Sequence, residues 1–168
     1  MAQQISLGTN LVDWGNLGTA NLELGVSVGQ HFSLMAGGRY NPWTMNSKKH
    51  DQLMQNHKQT AYLGVRYWPW YVNSGWWFAA KGQYSRTSNC GVWRPDRVDA
   101  TAFGGGLSGG YTLMLRKHLN LDMGIGAWAG KYTDYIWYEC PDCKDIVTSG
   151  PRAFLLLDDI TISLTYVF

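Results

Sequence analysis

No stretch of this chain approaches the ~18–20 consecutive apolar residues that a membrane-crossing helix requires. The longest apolar runs, such as Phe154 to Leu157, are far too short. Charge is also scarce: 15% of residues are charged, against about 25% in an average soluble domain. The net charge of +2 provides no basic face for nucleic acid. Cysteine is limited to three residues, and none lies near residue 1 to carry a lipid anchor. Internal repeats, linkers and low-complexity segments are missing as well. These absences leave two options, a soluble domain or a chain that crosses a membrane as strands.

Glycine and aromatic residues are abundant, with 20 Gly, 9 Trp and 10 Tyr in 168 residues. The mean hydropathy is nonetheless slightly negative, so the apolar residues are dispersed among polar ones. They are dispersed with a period of two. In the last segment Ile160, Ile162, Leu164, Tyr166 and Phe168 alternate with Asp159, Thr161, Ser163, Thr165 and Val167. The first set can face lipid and the second a polar lumen, the pattern of a barrel strand. Similar alternation recurs upstream and predicts eight strands, roughly 5–13, 19–29, 31–42, 58–70, 76–87, 99–115, 119–131 and 154–168. Tight connections near Gly29–Gln30, Val72–Gly75 and Arg116–His118 are expected to oppose long outer loops at 43–57, 88–98 and 132–153. The fold class expected over residues 1–168 is therefore all-β, a single transmembrane antiparallel up-and-down barrel of eight strands.

A lipocalin-like barrel has the same strand count but keeps its apolar face inside. Here the polar face is built of Gly, Ser, Asn and a few charges, which suits a narrow interior. The other face carries bulky aliphatics along whole strands, as lipid contact demands. Backbone groups in hydrocarbon have no water to bond, so such strands must close on themselves. Tyr67, Trp68, Trp70, Tyr71, Trp76 and Trp77 gather at one end of the strands, and Tyr40, Trp43, Tyr84 and Trp128 nearer the other. Two interfacial girdles would look like this. Tyr166 and Phe168, closing a regular strand, form a candidate signal for insertion by barrel-assembly machinery. Met1 before Ala2-Gln3-Gln4 reads as an added start residue on a mature N-terminus, so the secretory signal is expected to have been removed.

The expected lumen collects Glu23, Asp122 and Asp159 with Arg39, Arg66 and Lys81. A salt-bridged plug and a selectivity filter or proton path are the two readings. The plug is preferred, because buried charges must be paired and an eight-stranded interior is just wide enough for side chains. Cys140 and Cys143 flank Pro141-Asp142 in the longest loop. A local disulfide suits an exported loop; unpaired or cross-loop thiols are a second reading. A metal site, with Cys90 and a loop histidine such as His50 as further ligands, is a third. The disulfide is the working expectation, and Cys90 is unassigned. Tyr132, Tyr135, Trp137 and Tyr138 precede the pair, and such residues are enriched at binding hot spots, so this loop is a candidate partner-binding surface. The alternative is that the rings extend the outer aromatic girdle. No catalytic residue, metal site or cofactor site is assigned: His31 and His118 fall at tight turns, and Ser88 has no evident partner.

Several segments together carry a resemblance. These are Leu7-Gly8-Thr9-Asn10-Leu11, Arg39-Tyr40-Asn41-Pro42-Trp43-Thr44, Val65-Arg66-Tyr67-Trp68, the Gly104–Tyr111 strand, Tyr138-Glu139-Cys140-Pro141-Asp142-Cys143 and Ile162-Ser163-Leu164-Thr165-Tyr166. Across essentially the whole chain the sequence resembles the small outer-membrane barrel proteins of Bacteroidota grouped as domain of unknown function 3575. The resemblance implies an outer-membrane location, supplies no catalytic residues, and hints at surface or fimbrial assembly. The expected function is thus a non-catalytic outer-membrane barrel that presents surface loops to a larger outer-membrane or fimbrial assembly. Its partners would be outer-membrane lipid and such proteins, not nucleic acid. A small-ligand binding or transport barrel, and an outer-membrane enzyme, are the rivals.

Overall fold

The computed structural model describes residues 4–16, 18–47, 52–90, 97–138 and 146–168. Its elements in chain order are β1 (Ile5–Asn10), a short helix α1 (Leu11–Gly15), β2 (Ala20–Ser27), β3 (Phe32–Ser47), β4 (Gln52–Tyr67), β5 (Gly75–Cys90), β6 (Arg97–Arg116), β7 (Leu119–Tyr138), β8 (Ile146–Ser149) and β9 (Arg152–Val167). Each strand from β1 to β7 pairs antiparallel with the next, β9 pairs with β7, and β1 pairs with β9, which closes the sheet. The short β8 lies on the same edge of β7 as β9, with Ile136 opposite Ser149 and Tyr132 opposite Arg152. It is the start of the eighth wall strand, interrupted at Gly150, whose φ of 143° favours glycine. The wall is therefore a closed eight-stranded up-and-down antiparallel barrel.

The wall is uneven in height. β1 and β2 have 6 and 8 residues, whereas β3, β4, β5 and β9 have 16 and β6 and β7 have 20. The expected outer loops at 43–57, 88–98 and 132–153 are largely strand. β3 and β4 pair from Phe32↔Tyr67 to Ser47↔Gln52, and β6 and β7 pair up to Arg97↔Tyr138. Polar residues such as Thr44, Gln55 and Thr87 fit a ladder as well as apolar ones do. A search for long apolar alternation passes over stretches rich in such residues. The first strand is shorter than expected: it stops at Asn10, and Leu11–Gly15 turns into helix. The Asn10 side chain starts that helix by accepting from the Val12 N–H.

The barrel is apolar outside. Leu22, Leu34, Leu63, Leu107, Ile125 and Ile160 point outward and are exposed. Three strands bracket this surface with aromatics eight residues apart: Phe32 and Tyr40 on β3, Trp76 and Tyr84 on β5, Phe103 and Tyr111 on β6. At the level of the upper members the outward positions turn polar, with Gln59 opposite Tyr40 and Lys131 opposite Phe103, and Arg86 past Tyr84 is exposed as well. The girdle expectation needs one correction. Trp68, Trp77 and Trp128 face the interior, with relative exposures of 1%, 1% and 5%. Glycines make the room. A Cβ on Gly110 or Gly124 would lie 2.5 or 2.6 Å from the Trp77 ring, so a bulky indole and two bare backbones share one layer of the lumen.

Candidate functional site

Among the described residues, the lumen gathers buried charge of both signs. From below it is closed by the β4–β5 turn. Val72 packs on a cluster of Met35, Trp68, Trp77 and Ala79. Asn73, in the left-handed region at φ 65°, donates through Nδ2 to Gln4 Oε1 at 3.2 Å, and its carbonyl accepts from Asn120 Nδ2 at 3.0 Å. His31 and His118 at the lower turns sit against the backbone carbonyls of Trp68 and Val167, at 3.0 and 2.8 Å.

Above this floor lies a buried ion network. Arg66 donates to Glu23 at 2.8 Å and lies 3.7 Å from Asp122. Tyr62 donates its hydroxyl proton to Glu23 at 2.8 Å. Asp122 also accepts from Thr165 at 2.8 Å and from Thr112. The Arg66 guanidinium stacks over Trp77 at 4.5 Å and Trp68 at 5.6 Å, an arrangement suited to its flat, weakly hydrated group. Lys81 places its ammonium 5.1 Å from the centre of the Tyr62 ring. Of the six charges expected in the lumen, the structure thus brings Glu23, Arg66 and Asp122 into one cluster, with Lys81 beside it. Arg39 lies over the Tyr62 ring at 5.8 Å and pairs with Asp13 at 2.9 Å. Asp13 belongs to α1 and was not foreseen, because the sequence placed it at the tip of a strand. The Asp159 side chain lies outside the described residues.

Space around this network is small. The cavity lined by Glu23, Arg39, Tyr62, Arg66 and Lys81 measures about 20 Å³. One water needs at least ~10–15 Å³ on this measure, so the cavity has room for about one. The arrangement can rigidify the barrel, and among the described residues it leaves little open space at this level.

The wall itself is sealed by two asparagine amides. Where β1 ends, Asn10 donates through Nδ2 to the Ile160 carbonyl at 3.1 Å and accepts from the Ile162 N–H at 3.1 Å. Its own backbone is treated likewise by Asn21, whose Oδ1 accepts from the Asn10 N–H at 2.5 Å and whose Nδ2 donates to the Asn10 carbonyl at 2.9 Å. A side-chain amide carries the same donor and acceptor as a peptide group. The two asparagines therefore extend the ladder by one rung in place of backbone.

The candidate partner-binding residues are not in a loop. Tyr132, Tyr135 and Trp137 lie in β7 and are half-buried. The Tyr132 ring packs 4.5 Å from Phe154 and 5.4 Å from Tyr135. This segment is strand because it pairs with Ala102, Ala100 and Val98 of β6. Tyr138 is placed in the same strand by its pairing with Arg97, and its side chain lies outside the described residues. Cys140 and Cys143 also lie outside the described residues, and Cys90 ends β5 opposite Arg97. Ser88, which no motif partnered, donates to Asp99 at 2.5 Å. Tyr166 and Phe168 are exposed on the outer face with their rings 4.9 Å apart.

No curated protein and no solved structure matches the chain. A family model matches it over residues 1–168. The chain therefore belongs to the family described as "Protein of unknown function (DUF3575)".

Proposed function

We propose that this protein is an integral outer-membrane barrel that performs no catalysis and offers its tall upper ribbons to a partner at the cell surface. The observation that carries the membrane part is the outward apolar band. It spans nine residues from Phe32 to Tyr40, from Trp76 to Tyr84 and from Phe103 to Tyr111, with aromatics at both rims and the polar Gln59 and Lys131 opposite two of the upper rings. A tilted membrane strand needs ~9–11 residues, and aromatic rings favour the two interfaces. Water would penalise this surface; hydrocarbon would not. The filled lumen argues for a structural or binding role over transport.

The upper ribbons support the partner reading. β3 to β7 continue well past the upper rim, so they project as stiff paired strands. Stiff projections lose little entropy on binding. The partner would be another outer-membrane or fimbrial protein, and Cys140 and Cys143, which follow β7 in the sequence, would form a local disulfide that fixes a turn. Crosslinking in native membranes tests this reading. Wild-type barrel should capture a companion, and the double replacement of Tyr135 and Trp137 by Ser should reduce its recovery while the barrel still folds. Equal recovery from both would remove this ribbon as the contact surface.

A further inference from the structure

β1 leaves β9 at Asn10↔Ser163, and β2 leaves β3 at Ala20↔Tyr40. Above those points, among the described residues, β3 is paired with β4 alone and β9 with β7 alone. Two strands are missing from the upper wall, so the gap spans three strand spacings, roughly 14 Å at about 4.8 Å each. α1 packs across its lower part against β2 and β9, with Leu11 and Trp14 exposed outward.

Both borders are blunted against strand addition. Pro42 is in phase with Phe32, whose carbonyl accepts from Val28 of the β2 side, so it turns a missing N–H to the vacated edge. On β9 the ladder to β7 is irregular between Leu156 and Asp159, opposite Gly126–Trp128, and bulges discourage edge pairing. The surfaces on the two sides of the β9 border are apolar. Leu155 and Leu157 are 73% and 78% exposed on the outer face. Leu156 and Phe154 face inward, and Phe154 packs 4.4 Å from Trp128. Trp128 is 5% exposed, and its indole N–H has no partner among the described residues. A buried donor without an acceptor is costly.

We infer that this gap is a lateral portal through which a single-chain amphiphile with an acceptor headgroup, such as a long-chain carboxylate, enters the upper lumen. The headgroup accepts from the Trp128 indole N–H. The chain runs along Phe154 and Leu156 and leaves over the β9 edge toward Leu155 and Leu157. The inference rests on the membrane reading, because that reading puts lipid against the β9 border of the gap.

Quenching in nanodiscs tests it. The probes are 9,10-dibromostearate and a brominated phosphatidylcholine, and the Trp128 signal is the difference between wild type and Trp128→Phe. Trp76→Phe gives the signal of an outward ring in the same way. The expected result is saturable quenching of Trp128 by the brominated acid and not by the two-chain lipid, with loss of that quenching in Leu156→Arg. An unshifted detergent-gel mobility would show that both lumen variants fold. A quenched Trp76 beside an unquenched Trp128 would overturn the portal and leave the membrane reading intact. An unquenched Trp76 would overturn both. Quenching that survives Leu156→Arg, or that the phosphatidylcholine matches, would place the probe outside the lumen and sink the proposal. So would hydrogen-exchange protection of Ala153 and Leu155 in native membranes that is lost on purification, since it would show a strand from a partner in the gap.

Discussion

Replacing Arg66 removes the only cation placed within 4 Å of both Glu23 and Asp122 among the described residues. Two carboxylates are then left inside a barrel with little water. Breaking a buried pair by deleting one partner costs about 3–5 kcal/mol, so Arg66→Ala should lower the urea midpoint of the refolded barrel by that equivalent. Arg66→Lys should lose less, because an ammonium can still reach one carboxylate, though it gives up the stacking on Trp68 and Trp77. An unchanged midpoint in Arg66→Ala would mean that the network contributes nothing. Glycine sites divide by the same spatial logic. A Cβ on Gly110 would lie 2.1 Å from the Met123 carbonyl oxygen, while one on Gly82 would come no closer than 3.9 Å to its nearest neighbour. Gly110→Ala should therefore prevent the native gel shift, and Gly82→Ala should fold within about 0.5 kcal/mol of wild type, as open surface positions do. The ring of Trp77 and the facing backbone set the two glycines apart.

At the scale of elements, the β1–β9 seam ends on one side chain. Asn10→Ala would delete the amide that holds the Ile160 carbonyl and the Ile162 N–H and would also remove the cap of α1. Loss of a helix cap alone costs about 1 kcal/mol. Faster hydrogen exchange at the Ile162 amide, with the Gly124 amide on β7 unchanged, is the expected signature; equal rates in both proteins would show that the seam does not depend on Asn10. The upper ribbons make a second element-scale prediction. Amides of β6 and β7 around Ala100 and Tyr135 should be protected, as paired strands are, and not exchange like loops. Their strand character was hidden in the sequence for a physical reason. Apolar alternation marks a strand only where one face meets a different solvent from the other. Above the rim both faces are wet or mixed, so the period-two signal fades while the hydrogen-bonded ladder continues.

The whole molecule is a closed cylinder with a filled middle. Closure leaves no free edge over the lower wall, and such barrels unfold only by breaking the ladder as a unit. An unboiled sample should therefore run differently from a boiled one on a detergent gel. Equal mobility, together with solubility in the absence of detergent, would defeat the membrane reading. The filled middle predicts no steady single-barrel conductance in a planar bilayer, and stable ion current through one barrel would contradict a plug with room for about one water.

What the sequence determined by itself was the two-faced character of the lower strands, their antiparallel order and the presence of an even barrel, because burial and exposure alternate with the pleat and leave their mark on every second residue. It also indicated which charges point inward, since Glu23, Arg66 and Asp122 follow from the same alternation. Partner choice across the lumen was a matter for the tertiary structure. Arg39 meets Asp13 only because the chain turns into α1 after Asn10, and Trp68, Trp77 and Trp128 are interior because facing glycines open a space for Trp77 and register decides which ring enters. The same holds for the unequal wall. No local pattern states that β1 and β2 stop short while their neighbours continue; that height difference appears only when eight strands are laid side by side, because an edge exists only relative to the strand that fails to cover it.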